Sequence, residues 1–193
     1  MAGVSNPLGL VVLAFLQERP MHPYELGRLL KARNKQESIK YRHASLYMVV
    51  KQLLRDGYIE SQETTRAGQL PERTVYALTP SGQEVLTEQM RELVAVPVKE
   101  YPRFEAALAL IVVLPPDDVA ALLGERLEAL KLRIDELRER ARPREDVEWV
   151  HKIEYEYELA LAEAEQKFVR RLRSQVAEGD VGTLWSRLHP RRS

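Results

Sequence analysis

The sequence predicts a mainly α protein in two parts: three short helices with a two-stranded β hairpin, followed by an all-helical second half. Three observations carry this. Apolar residues recur at helical spacing in three short blocks before residue 57. The pattern then switches to segments rich in Thr, Tyr, Val and Ile around a connection that holds Gly68 and Pro71. Beyond residue 97 no strand signal appears.

Asn6-Pro7 is a helix start, with a capping Asn and a proline at the first helical position, and the apolar run Leu8 to Leu16 reads as a buried first helix. Gln17 to Pro23 reads as a loop. Tyr24, Leu26, Leu29 and Leu30 then mark one face of a second helix that runs to about Arg33. A third helix is expected from His43 to Asp56, with Leu46, Val50, Leu53 and Leu54 on one stripe and Gly57 ending it. The hairpin strands are read as Tyr58 to Thr65 and Arg73 to Thr79. Thr79-Pro80 starts a fourth helix, Ser81 to Val94, and Pro97 and Pro102 break the chain after it.

The expected domains are therefore 1–97 and 98–193. In the second, helices are read over Phe104 to Leu114, Asp117 to Arg142 and Glu145 to Glu178, with a short tail containing Trp185. Leu123, Leu127, Leu130, Ile134 and Leu137 advance by three or four residues, and Val150, Ile153, Tyr157, Ala160, Ala164 and Phe168 do nearly the same, which is coiled-coil spacing. At about 1.5 Å per residue the two long helices reach roughly 40 to 50 Å, too long for burial in one small domain. They require each other or a second subunit as partner.

Composition narrows the chemistry. The chain has no cysteine, which excludes disulfides and thiolate metal sites. The Leu8–Leu16 run is preceded by no Lys or Arg and is shorter than the ~20 residues that span a bilayer, so neither a signal peptide nor a membrane segment is expected, and the cytoplasm is the expected address. Net charge is zero, but residues 1–82 carry +4 and residues 83–193 carry −4. His22, His43, His151 and His189 are scattered, and no metal or cofactor is expected. No nucleophile motif or phosphate loop is present, and enzymatic activity is not expected.

Three helices and a hairpin in this order are the winged helix-turn-helix plan, and the third helix has the chemistry of a groove reader. No acidic residue lies between Glu37 and Asp56, whereas Lys40, Arg42, Lys51 and Arg55 are basic. With Leu46 and Val50 pointing inward, Ala44, Met48, Lys51 and Arg55 point outward, flanked by Ser45, Tyr47 and Gln52. Lysine and arginine neutralise phosphates or read guanine, and methionine packs on thymine methyls. Arg66 at the hairpin tip is a further candidate contact. Tyr101, Phe104, Trp149, His151 and Tyr155 are the candidate lining of a small-molecule effector pocket, with core packing as the alternative. Arg170, Arg171 and Arg173 read as a solvated helix face.

The segments Met21-His22-Pro23-Tyr24-Glu25-Leu26, Ala44-Ser45-Leu46-Tyr47, Leu54-Arg55-Asp56-Gly57-Tyr58-Ile59 and Tyr76-Ala77-Leu78-Thr79-Pro80-Ser81-Gly82 resemble, in order, the markers of PadR-family transcriptional regulators. The likeness covers residues 8 to about 95, and the second half is similar in layout to the subgroup with a long C-terminal domain. Family members usually have glycine before the tyrosine of the first motif and proline after that of the second, where this chain has Pro23 and Met48. The resemblance implies contact of Tyr24, Ser45, Tyr47 and Lys51 with an inverted-repeat operator on double-stranded DNA, a homodimer, and repression relieved by a small molecule. A winged-helix adaptor that binds protein rather than DNA is the alternative suggested by the zero net charge.

Overall fold

The structure, a computed structural model, describes residues 6–35, 39, 41–65, 73–142, 149–179 and 182–189. The chain divides into two compact units, Met1–Lys99 and Glu100–Ser193.

In the first unit, α1 spans Pro7–Glu18. The Asn6 Oδ1 accepts from the Leu8 amide at 3.0 Å, satisfying one of the amides that a helix start leaves without an intrahelical partner. Leu8, Leu10, Val12, Leu13, Phe15 and Leu16 are all buried, so the helix is covered on most sides. α2 spans Pro23–Ala32. Its start is closed reciprocally: the His22 Nδ1 accepts from Tyr24 N at 3.1 Å, and the Glu25 carboxylate accepts from His22 N at 3.2 Å. Arg33, after α2, makes a forked ion pair with Glu18 at the end of α1, its Nη2 lying 2.8 Å from Oε2, while its guanidinium sits 5.1 Å from the Phe15 ring centre. The hydrogen bond from Arg33 holds the Glu18 carboxyl below its ordinary pKa.

α3 spans His43–Arg55 and buries Leu46, Val50 and Leu53 against the core. Leu54, expected on the inward stripe, is instead exposed, because it lies at the edge of the arc that Leu46, Val50 and Leu53 define. Gly57, at φ +75°, takes the left-handed conformation that ends the helix. Strands β1, Ile59–Thr65, and β2, Arg73–Leu78, pair antiparallel with Ile59 opposite Leu78, and a bulge interrupts the register between Gln62 and Thr64. Met21 adds a bridge to this pair, exchanging two 3.0 Å backbone hydrogen bonds with Tyr76. The segment before α2 is thus tied to the sheet, where its prolines had suggested only a loop.

α4 spans Pro80–Ala95, and its entry is locked to the end of α3. Thr79 Oγ1 accepts from Gly82 N at 3.1 Å, and the Thr79 and Ser81 hydroxyls reach the Gly57 carbonyl at 2.8 and 3.0 Å. A Cβ on Gly82 would stand 2.0 Å from the Tyr58 carbonyl oxygen, so this backbone approach is open only to glycine.

The second unit holds α5, Arg103–Ala109, a 3-10 turn at Ile111–Val113, α6, Pro116–Ala141, a second 3-10 turn at Trp149–His151, α7, Ile153–Glu178, and α8, Gly182–Leu188. The single helix expected over Phe104 to Leu114 stops at Ala109: the β-branched run Ile111-Val112-Val113 is a weak helix former, and Pro115 holds Leu114 extended, at ψ 148°. α7 begins later than expected, and residues 143–148 lie outside the described residues.

α6 and α7 lie antiparallel against each other, with Arg126 Nε bonded to Glu165 at 2.6 Å and Arg133 to Glu158 at 2.5 Å. Val119, Leu123, Val169, Val176 and Trp185 form the core, and the Trp185 indole donates to the Leu114 carbonyl at 2.8 Å. The α6 stripe Leu123, Leu127, Leu130, Ile134 and Leu137 faces inward as its spacing predicts. The predicted α7 stripe does not. Val150, Ile153, Tyr157, Ala160, Ala164 and Phe168 are exposed, and α7 instead turns Tyr155, Leu159, Ala162, Gln166, Val169, Leu172 and Val176 inward. That inner stripe is interleaved with Glu158 and Glu165, whose charges are met by arginines of α6.

Two outcomes test this description. Gly82→Ala forces a methyl into the Tyr58 carbonyl and is expected to cost about 1–3 kcal/mol, a fall in melting temperature of roughly 4–8 °C per kcal/mol for a unit of this size. Glu18→Gln should destabilise the first unit by about 0.5 kcal/mol at neutral pH, the scale of a solvent-screened pair. Because the folded Glu18 pKa lies below its unfolded value, its contribution is present above the ordinary carboxylate range and lost as pH falls through the folded value. Parent and variant should therefore converge below about pH 4 in urea titrations.

Candidate nucleic-acid interface

The burial of Leu46, Val50 and Leu53 leaves one long face of α3 open. Ala44, Met48, Lys51 and Arg55 all lie on it, with Met48 72% exposed, and Tyr47 and Gln52 flank it. Ser45 is half-buried. Tyr24 stands exposed in the first turn of α2. Lys40 and Arg66 lie outside the described residues.

The start of α3 is built from aromatic and imidazole groups. The Tyr41 hydroxyl shares a 3.0 Å hydrogen bond with His43 Nδ1, and the His43 ring meets Tyr47 edge to face at 5.3 Å. Burial, then the neighbouring Tyr47, pushes the Tyr41 hydroxyl pKa up. Gly27 on α2 makes room for this hydroxyl, since a Cβ there would come within 2.9 Å of it. Tyr47, a groove-facing candidate, is thus positioned by Tyr41 and His43, which sequence reasoning did not single out.

The end of α3 is arranged differently. Arg55 donates to the Gln52 side-chain oxygen, and the Gln52 amide donates to both oxygens of Asp56 at 2.7 and 2.8 Å. Asp56 therefore tempers the cationic character of that end, and Lys51 is left as the mid-helix cation. At the opposite end, Arg42 occupies the cap position and no side chain caps the first amides of α3. Arg42 and Ser45 line a cavity of about 390 Å³ together with Asn6 and Leu8 from the start of α1. Two helix N-termini and a guanidinium beside one hollow give a local environment that favours an anion such as a backbone phosphate. Asn6 was legible in the sequence only as a cap.

The residues proposed for an effector pocket are not gathered in one place. Phe104 lies under the Arg126 guanidinium at 3.6 Å, whereas Tyr155 lies under Arg140 at 5.7 Å. Those arginines are 14 positions apart on α6, about 21 Å along its axis. Tyr101 is 85% exposed and Trp149 66%, with the Trp149 indole 3.4 Å from the Glu156 carboxylate. The side chain of His151 lies outside the description. Phe104 instead borders an apolar cavity of about 220 Å³ with Leu108, Ile111, Leu114, Leu123 and Arg126. Among the described residues, no cluster of three or more His, Asp or Glu side chains could hold a metal, and no helix is long and apolar enough to cross a membrane.

Residues 12–88 match the model of the transcriptional regulator PadR-like family. Over these residues the chain is similar to PadR-like transcriptional regulators. Solved structures with the same fold include PadR of Bacillus subtilis in complex with operator DNA, at 19% identity and a TM-score of 0.67, covering 88% of this chain and 98% of that one. The same Bacillus subtilis protein in complex with p-coumaric acid gives 16% identity and a TM-score of 0.69 over the same shares. The PadR-like regulator BC1756 of Bacillus cereus gives 15% and 0.59, covering 89% and 99%. The likeness in fold thus extends past the winged helix-turn-helix into the helical second half. No curated protein matches the chain. The match over residues 12–88 is to regulators of transcription.

Proposed function

We propose that this chain is a homodimeric repressor that binds an inverted-repeat operator and releases it on binding a small molecule. Residues 1–97 would contact DNA and residues 98–193 would dimerise and sense. The observation that carries the DNA-binding reading is the open face of α3, with an exposed methionine, a mid-helix lysine, a flanking tyrosine and no acidic residue before Asp56. Such a face enters a major groove with Lys51 against phosphate or guanine and Met48 against thymine methyls. Ser45 and Arg42, beside the uncapped helix start, suit the flanking backbone. Tyr24 extends the surface from α2, while Lys40 and Arg66 are proposed as accessory phosphate contacts.

Support for dimerisation comes from the exposed apolar stripe of α7, which its own unit leaves uncovered. Support for an effector comes from the p-coumaric acid complex of the structurally similar Bacillus subtilis protein, together with the Phe104 cavity in the second unit.

The direct test is a gel shift with the DNA upstream of the gene and of its neighbours, against random duplex of equal length. The parent should prefer the upstream DNA, and its affinity should fall steeply with salt. Lys51→Ala is expected to weaken binding and to reduce the slope of log affinity against log salt by about one, the mark of a lost phosphate contact. Lys51→Ala combined with Tyr47→Ala should abolish the preference. Equal binding to random duplex, or a double variant that binds like the parent, overturns the reading and favours a protein-binding adaptor, for which the zero net charge is the motive.

A further inference from the structure

His43, exposed at the first position of α3, is held by a partner that suits both of its protonation states. Its Nδ1 shares the 3.0 Å hydrogen bond with the Tyr41 hydroxyl. Both atoms lie over Gly27 of α2, where a Cβ would come within 2.9 Å of the hydroxyl and 3.6 Å of Nδ1. Burial, then the neighbouring Tyr47, holds the Tyr41 hydroxyl above the ordinary tyrosine range, so near neutral pH it keeps its proton and can donate or accept. A neutral ring accepts the Tyr41 O–H at Nδ1 and carries its own proton on Nε2. A ring that has taken a proton from solvent donates from Nδ1 to the same oxygen. The contact thus survives protonation with its direction reversed, and the edge-to-face meeting with Tyr47 at 5.3 Å is kept.

The surroundings of the ring are cationic. Arg42 precedes it at the cap of α3, and no side chain caps the first amides of that helix. On the side of α2 that carries Gly27 the ionisable residues are Tyr24, Arg28 and Lys31, while Glu25 lies on the far side, bonded to His22 N and Arg19. α1 brings the neutral Asn6 to the Arg42 side, and its one carboxylate, Glu18, is held by Arg33. Among the described residues no carboxylate therefore faces His43. An imidazolium here meets, in the free protein, Arg42 and the positive end of α3 and no counter-ion. An arriving phosphate supplies one.

We infer that His43 is a proton-linked DNA contact, neutral in the free protein and protonated when a backbone phosphate lies at the start of α3. This rests on the DNA-binding reading above and adds to it a residue outside the open face of Ala44, Met48, Lys51 and Arg55. Histidine is the side chain whose charge changes between about pH 5 and 8. Binding that takes up a proton strengthens as pH falls through this range and weakens as it rises, because proton and DNA raise each other's affinity by the same factor. Acidification then favours occupancy of the operator, with no small molecule involved.

The test is calorimetric titration of the full-length chain with the upstream duplex of the gel shift, in buffers of equal pH and different ionisation enthalpy, which counts the protons taken up. Affinities are followed alongside by fluorescence anisotropy from about pH 5 to 8. The parent should take up a fraction of a proton and bind up to about tenfold more tightly at the acid end, the size of a one-unit change in the ring's own proton affinity. His43→Gln can still bond to Tyr41 but does not titrate, and should lose most of both effects. His43→Arg carries the charge permanently and should bind at the alkaline end as tightly as the parent does at the acid end, so the result does not hang on one variant's folding. The titration of His22, whose Nδ1 accepts from Tyr24 N, is common to all three proteins and cancels in the differences. A parent affinity that does not change with pH, or a His43→Gln profile that is lowered equally at every pH without flattening, overturns the inference and leaves DNA binding standing. The second of these results would show a ring that only props Tyr47. Failure of all three proteins to bind the duplex at any pH removes the DNA-binding reading as well.

Discussion

The rotation of α3 about its own axis is the constraint on which the functional surface depends. Three side chains set it. Leu46, Val50 and Leu53 are almost wholly removed from solvent, and each such burial stabilises the fold by about 1.5–3 kcal/mol. Turning the helix by one residue would expose that stripe and bury Lys51, a loss no contact at the DNA face could offset. The outward positions of Ala44, Met48, Lys51 and Arg55 are therefore a consequence of core packing. The lock at Gly57 reinforces the same constraint from the far end. One carbonyl collects the Thr79 and Ser81 hydroxyls, so the end of α3, the hairpin and the start of α4 are held through a single turn.

Much of this was legible in the chain because it is local. Asn6-Pro7 and Thr79-Pro80 announce two helix starts, Gly57 announces a helix end, and the inward stripe of α3 follows from spacing alone. What escaped was nonlocal. The Met21–Tyr76 bridge joins residues far apart in sequence through backbone atoms, and no side-chain pattern announces it. The Tyr41–His43–Tyr47 cluster at the start of α3 needs the space above Gly27, and that is a property of how α2 and α3 pack. Phe104 and Tyr155, grouped in sequence as lining of one effector pocket, meet arginines 14 positions apart on α6, one at its middle and one at its end.

α7 shows why hydrophobic spacing can identify a face other than the one that packs within the unit. The helix has two seams, and the one facing α6 is the more polar. It carries Glu158, Glu165 and Gln166 among its apolar residues, and it is tolerated there because Arg126 and Arg133 answer the carboxylates across the pair. A reading based on apolar periodicity passes over such a seam and selects the cleaner one, Ile153 to Phe168, which this unit leaves open. A helix with two usable seams is what a chain needs if it is to fold upon itself and still present a face to another chain.

The zero net charge of the chain is compatible with a cationic groove reader because electrostatic attraction to DNA is local. At about 0.1 M salt, charges separated by more than roughly 10 Å are largely screened, so the balance over the whole chain says little about the field at α3. What counts is which cations are already answered by acids nearby. In the helical pair of the second unit, Arg126 and Arg133 are bound to Glu165 and Glu158 and have little field to spare. On α3, Arg55 is linked through Gln52 to Asp56, while Lys51 and Arg42 stand in a stretch without any acidic residue. The arginines of the second unit serve packing, and the cations of α3 are left to face an anion. A chain neutral as a whole can therefore keep one helix strongly attractive to a phosphate backbone, provided its carboxylates are spent on arginines elsewhere.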